Sequence, residues 1–212
     1  MALGGAVVAG AQPAREAEPA AAFAARLQQR LSGIRDFSAD FVQSYEGGAL
    51  RKRTTERGTV QVKKPGRMRW AYTSPEEKLF VSDGRRMYMW IPADKQVMVS
   101  TLPAAGEAGT PVLFLLGRGD LTRDFNVAYA ATPPAAGPAA VALSLTPKRA
   151  EPEYTTLTLV ADRPTLGLRM LIADDSQGGT STFTFSHLKE NTGVPDSRFA
   201  FTIPRGVDVI TR

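Results

Sequence analysis

In 212 residues there is one histidine, His187, and no cysteine. These two counts remove thiol nucleophiles, disulfides, Cys-ligated zinc, iron–sulfur clusters and any multi-histidine metal centre. Carboxylates remain for acid–base work or for a hard cation. Two adjacent pairs stand out. Asp174-Asp175 precedes Ser-Gln-Gly-Gly and reads as a hairpin turn, without the spaced ligands of a calcium loop. Glu76-Glu77 follows Pro75 and reads as an exposed turn. There is no Gly-x-Ser-x-Gly elbow and no Walker loop. His187 shares strand parity with Phe183 and Phe185, has no motif around it and reads as a structural or surface residue, and Arg118-Gly119-Asp120 reads as an accidental string. The sequence therefore assigns no catalytic residue, no metal and no cofactor, and directs attention to binding.

Binding surfaces need a core to stand on. At 43% hydrophobic and 22% charged residues the chain has material for one substantial core, and residues 19–212 read as a single domain. Residues 1–18 read as a truncated export signal or a flexible N-terminal segment. MALGGAVVAGA is small and apolar, and Ala9-Gly10-Ala11 has the form of a signal-peptidase site, but no Lys or Arg precedes Arg15. An exported chain without cysteine fits the periplasm and cannot carry a lipid anchor on a thiol. No other apolar run approaches the roughly 20 residues of a membrane span, so the mature chain is expected to be soluble.

From Phe23 the spacing of Phe23, Leu27, Leu31 and Ile34 predicts an amphipathic helix stopped at Gly33. Alternation then takes over. Phe37, Ala39, Phe41 and Tyr45 share one parity, and Gly47-Gly48 supplies a turn. Similar short runs recur between turn signals: TVQV, RMRWAY, KLFVS, RRMYMWI, QVMVS, RDFNVAY, AVALSLT, YTTLTLV, LGLRMLIA and TSTFTFSHL. With the Phe37 run these make about eleven strands, and the fold class is mainly β: one strongly curved antiparallel sheet or incomplete barrel. Between QVMVS and RDFNVAY, Thr110-Pro111 opens the apolar run VLFLLG, a short helix that either plugs the core or covers a cavity. Met68, Trp70 and Tyr72 share one strand face, and Arg67, Arg69 and Thr73 the other. Residues 51–69 carry Arg51, Lys52, Arg53, Arg57, Lys63, Lys64, Arg67 and Arg69 with only Glu56 among them. That stretch serves as a solvated face that discourages edge pairing or as a docking surface for an acidic partner.

The run VKKPGRMRWAYTSPEEKLFVSDGRRMYMWIP, with GTPVLFLLGR, LTPK and the closing FTIPRGVDVI, resembles the LolA family of periplasmic outer-membrane lipoprotein carriers. The likeness spans about Ala22 to the C-terminus. Its most specific parts are the Lys-Pro turn ahead of Trp70, the Val-Ser-Asp-Gly hairpin at 81–84 and the Thr-Pro segment. The resemblance implies a half-open barrel whose helical lid covers an apolar cavity for lipoprotein acyl chains. It also implies a non-enzymatic, monomeric shuttle that takes acylated lipoproteins from an inner-membrane ABC transporter to an outer-membrane receptor and binds no nucleic acid. A half-barrel that binds free lipid or senses envelope stress is the alternative. On this likeness the cavity and lid fall to Leu31, Met68, Trp70, Tyr72, Met87, Met89, Val112, Leu115 and Leu116. The lid latch falls to Lys64, where relatives carry Arg. Partner docking falls to Arg51, Arg53, Arg57, Arg67 and Arg69.

Overall fold

The computed structural model describes residues 18–47, 52–102 and 119–211. Helix α1, Ala20–Ser32, ends against Gly33 and turns Phe23, Ala24 and Leu27 to the interior, as the four-residue spacing of its apolar stripe requires. Twelve strands follow: β1 (Asp36–Gly47), β2 (Lys52–Lys63), β3 (Arg67–Ser74), β4 (Lys78–Asp83), β5 (Arg86–Ile91), β6 (Gln96–Thr101), β7 (Phe125–Tyr129), β8 (Ala140–Pro147), β9 (Thr156–Asp162), β10 (Leu168–Asp174), β11 (Thr180–Glu190) and β12 (Asp208–Thr211). A single turn of helix, α2 (Leu121–Asp124), precedes β7. Asp120 caps it by accepting from the N–H groups of Thr122 and Arg123, so this aspartate is a structural cap and not part of a stray string.

The strands form one sheet in the order β12-β6-β5-β4-β3-β2-β1-β11-β10-β9-β8-β7, open between its two edges. Most of the alternating runs became strands near their expected bounds, with four differences. First, β2 reaches back to Lys52, because β1 pairs with it without interruption from Asp36↔Lys63 to Gly47↔Lys52. Second, the run RDFNVAY is divided, since Arg123 and Asp124 belong to α2 and the strand begins at Phe125. Third, a twelfth strand is present: β12 lies parallel to β6, with Val209 opposite Val97, and no alternation announced it. Fourth, His187 leaves the face of Phe183 and Phe185. Asp40 pairs with Ser186 and Ser38 with Lys189, so β11 holds one residue more than β1 across that interval. The bulge puts His187 at φ 52°, with its ring 78% exposed and Nδ1 2.8 Å from Asp40 Oδ2. Leu188 packs against the core in its place.

The concave face carries the main core. Phe37, Ala39 and Phe41 of β1, Val60 and Val62 of β2, Met68 and Trp70 of β3, and Phe183 and Phe185 of β11 pack with Leu143, Leu157, Leu159 and Leu171 and with Phe23 and Leu27 of α1. Each such side chain contributes about 1.5–3 kcal/mol by leaving water. Phe41 sits at the middle, its ring 4.9 Å from those of both Trp70 and Tyr72. Its rung partner is Gly58, where a Cβ would lie 1.9 Å from the Ala71 carbonyl oxygen, so the strands approach there only because the side chain is absent. The convex face is apolar in one region as well. Val81, Val97 and Val99 are buried with Val194 and Phe199, and Tyr88 meets Phe201 at 5.3 Å. This explains why both parities of β5 are apolar.

Replacing Phe41 by Ala should cost about 3–5 kcal/mol in urea unfolding, whereas Val42→Ala, one residue along and 39% exposed, should cost under about 0.5 kcal/mol. Equal losses would contradict the inward assignment of the Phe37, Phe41 parity.

Candidate functional site

Helix α1 lies over the concave face and is fixed differently at its two ends. Near its start, Phe23 is fully buried with the guanidinium carbons of Arg163 and Arg26 at 5.6 and 5.8 Å from its ring centre. Arg26 also donates to Glu18 at 2.7 Å. At its other end the fastenings are polar. Lys64 Nζ donates to the Leu31 carbonyl at 2.7 Å, Arg30 pairs with Glu190, and the Gln28 side-chain oxygen accepts from the Leu121 N–H at 2.9 Å. A cation at this end suits the unsatisfied carbonyls and the negative pole of the helix. Lys64 is brought there by its own backbone, whose N–H donates to the Arg35 carbonyl at 2.8 Å. Burial pushes its ammonium below the usual lysine value, and the Glu190 carboxylate only partly opposes this.

Beneath the polar end of α1 is a cavity of about 220 Å³, walled by Leu31, Ile34, Phe37, Leu168 and Leu188, with Gln28, Lys64 and Glu190 at its edge. This is smaller than the roughly 300–1,000 Å³ of an ordinary ligand pocket. Much of the rest of the concave face is occupied by core side chains.

Strand register places the expected wall residues. Met68 lies opposite Ser82, Trp70 opposite Phe80 and Tyr72 opposite Lys78. Across the next pair Ser82 faces Met87 and Phe80 faces Met89, and Met89 faces Met98. Cross-strand partners share a face, so Met87, Met89 and Met98 extend the concave wall of Met68. Leu31 is half-buried at the cavity mouth. Val112, Leu115 and Leu116 lie outside the described residues, as does Arg51.

The wall changes character along β3. Beyond Trp70 the Tyr72 hydroxyl donates to Gln43 Oε1 at 2.5 Å, and Lys78 pairs with Glu56 while standing 5.4 Å from the Tyr72 ring centre. Burial, aided by the Glu56 charge, raises the Tyr72 phenol well above its ordinary value; the Trp70 indole is near enough to oppose this without meeting hydrogen-bond geometry. Trp70 itself is 2% exposed and packs against Phe41, Phe183 and Phe185 at 4.9, 5.4 and 6.3 Å. Its Nε1–H has no partner among the described residues, a deficit of about 1–3 kcal/mol for a buried donor. Neither this polar rim nor the orphan donor was visible in the sequence.

The basic stretch is less uncompensated than its composition implied. Arg53 pairs with Glu46 at 2.8 Å, and Asp196 serves both Lys63 at 2.6 Å and Arg67 at 2.5 Å; the Lys63 and Arg67 contacts in turn hold the Asp196 carboxyl below its ordinary value. Glu56 is engaged by Lys78 instead. Arg57 is exposed. Arg69 is half-buried, its acidity raised by burial and by the neighbouring Arg198, which Gln61 holds at 3.0 Å. Among the described residues no group of three or more His, Asp or Glu is placed to hold a metal ion, and no helix is long and apolar enough to cross a membrane.

Comparison with known proteins agrees with this geometry. Residues 32–202 match the family model described as outer membrane lipoprotein carrier protein LolA. The outer-membrane lipoprotein carrier protein of Chromohalobacter salexigens is 33% identical over 190 residues, covering 88% of this chain and 86% of that protein. The one from Chromobacterium violaceum is 30% identical over 198 residues, covering 92% and 91%. Among solved structures, an uncharacterized conserved protein from Thermus thermophilus aligns with a TM-score of 0.54 at 12% identity over 89% of this chain and 99% of its own. That likeness concerns the fold.

The lowered proton affinity of Lys64 has a testable sign. Folded chain binds this proton less tightly than unfolded chain, so stability rises with pH between the lowered value and the ordinary 10.5, and is flat below that window. Urea midpoints of the wild type measured against Lys64→Arg should therefore be parallel through neutral pH and move in favour of the wild type on the approach to 10.5. A difference moving the other way would contradict the burial of this ammonium.

Proposed function

The chain belongs to the LolA family of outer-membrane lipoprotein carriers, and we propose that it works as a periplasmic shuttle whose concave sheet face holds lipoprotein acyl chains. Proteins of this family bind and release cargo and are not enzymes. The physical need is simple: each CH₂ kept from water is worth about 0.8 kcal/mol, so an acylated protein travels only inside an apolar container. The observation that carries the reading is the apolar concave face, from Phe37 through Met68 and Trp70 to Phe80, Met87 and Met89. Flexible Met side chains suit acyl groups of differing shape.

In this reading Lys64 is the latch. Its contact with the Leu31 carbonyl, beside the Arg30–Glu190 pair and the Gln28–Leu121 bond, keeps that end of α1 down when the chamber is empty, and arriving chains displace it so that Leu31 meets them; Val112, Leu115 and Leu116 join the lid on the sequence resemblance alone. Residues 19–212 act as one monomeric unit, preceded by a truncated export signal or a flexible N-terminal segment. Cargo comes from an inner-membrane ABC transporter and goes to an outer-membrane receptor. Docking is supported by the convex basic surface, where Arg57 and Arg69 weigh more than Arg53 and Arg67, whose charges Glu46 and Asp196 offset; Arg51 joins this set on the sequence alone.

Protein purified from a periplasm should carry triacylated lipoprotein detectable by mass spectrometry, and Met68→Glu should reduce that load at least about tenfold, since a carboxylate on the wall must be desolvated to face an alkyl chain. Equal loads, or free lipid alone in both proteins, would move the function to a free-lipid binder. In the same assay Lys64→Leu should exchange bound cargo into detergent micelles at a changed rate while keeping its fold by circular dichroism; an unchanged rate would remove the latch.

A further inference from the structure

An acyl chain is not all hydrocarbon. Where it joins glycerol it brings an ester carbonyl, and a carbonyl taken out of water needs a donor. The concave wall offers one that is otherwise idle: Trp70 Nε1–H, 2% exposed and without a partner among the described residues. Its neighbours along the inward face of β3 are ordered in a matching way. Towards α1 stands Met68, with Phe37 and the cavity under Leu31 beyond it. Away from α1 stands Tyr72, hydrogen-bonded to Gln43 and flanked by the Lys78–Glu56 pair.

We propose that Trp70 Nε1–H donates to an ester carbonyl of the bound acylglyceryl group, with the alkyl tails running towards Met68 and Phe37 and the glyceryl end at the Tyr72, Lys78 rim. This deepens the acyl-carrier reading and rests on it. Trp70 then does two things. Its ring forms wall, and its N–H fixes how far along the chamber the ester sits. Among the described residues nothing accepts from this donor, and cargo is what satisfies it.

The test uses the full chain stripped of lipid and two synthetic probes: a peptide with an N-terminal S-(dipalmitoylglyceryl)cysteine, and the same peptide with both esters replaced by ethers. Their relative affinities are measured by competition against a fluorescent fatty acid, in the wild type, in Trp70→Phe, and in a protein with benzothienylalanine at position 70, which keeps the bicyclic ring and lacks the N–H. The ester-to-ether preference should be about tenfold higher in the wild type than in either altered protein, the size expected of one hydrogen bond gained in a buried site. The same preference in all three overturns the proposal while leaving the acyl chamber intact. Failure of both probes to bind any of the three overturns the chamber reading, and the proposal with it. Orientation is read separately in Trp90→Phe, where Trp70 is the one remaining tryptophan. Bromine next to the ester should quench its fluorescence more than bromine at the chain end, and the reverse order overturns the stated direction.

Discussion

An apolar concave face on an open sheet is the constraint from which the rest of this structure follows. A closed barrel hides its interior by joining its edges; here β7 and β12 remain apart, so the interior has to be covered by something laid across it. Helix α1 does this with Phe23, Ala24 and Leu27. Its charges fall on the outward side, and the chain returns from α1 into β1 through Ile34 and the buried Asp36. The Asp36 carboxylate accepts from the N–H groups of Thr192 and Gly193, which ties the start of β1 to the end of β11. Cover and sheet are thus joined at the point where the helix ends and the sheet begins.

The concave wall is graded, and the gradient has a physical origin in register. Four antiparallel pairings in succession bring Gln43, Glu56, Tyr72 and Lys78 to one end of the inward face and Phe37, Val62, Met68 and Met87 to the other. The polar end satisfies its own hydrogen-bonding groups through the Tyr72–Gln43 bond and the Lys78–Glu56 pair. The apolar end has no such option and is closed by α1. A container built this way presents unlike environments to the two ends of an amphiphile.

Much of this was legible in the sequence where neighbours along the chain decide it. The alternation of Met68, Trp70 and Tyr72 against Arg67 and Arg69, and the four-residue stripe of α1, depend only on local periodicity, and both faces follow. What depends on distant residues was not. β12 is four residues long, and its partner β6 lies far away in the chain. The parity that put His187 beside Phe185 assumes no extra residue in the strand, and the bulge supplies one. Residues 51–69 look almost purely basic because their partners Glu46 and Asp196 stand outside them. The Trp70 donor is idle because of what surrounds it, a property no single strand encodes.

A carrier that binds tightly but lets go needs a cover whose removal costs little, and the two ends of α1 divide that requirement. At the start of the helix Phe23, Ala24 and Leu27 are wholly buried, and lifting them would expose apolar surface worth about 1.5–3 kcal/mol for each large side chain. At the other end Leu31 is only half-buried, and the fastenings are polar: the charged hydrogen bond from Lys64, worth about 1.5–3 kcal/mol before the burial of its ammonium is counted against it, with the Arg30–Glu190 pair and the Gln28–Leu121 bond beside it. Covering each CH₂ of an acyl chain returns about 0.8 kcal/mol, so roughly two to four methylenes offset the loss of the Lys64 contact. In the proposed latch a single lysine ammonium stands in place of the five-donor fork of an arginine, and acyl carbons entering beneath Leu31 would have to displace the Arg30–Glu190 and Gln28–Leu121 contacts as well as this one.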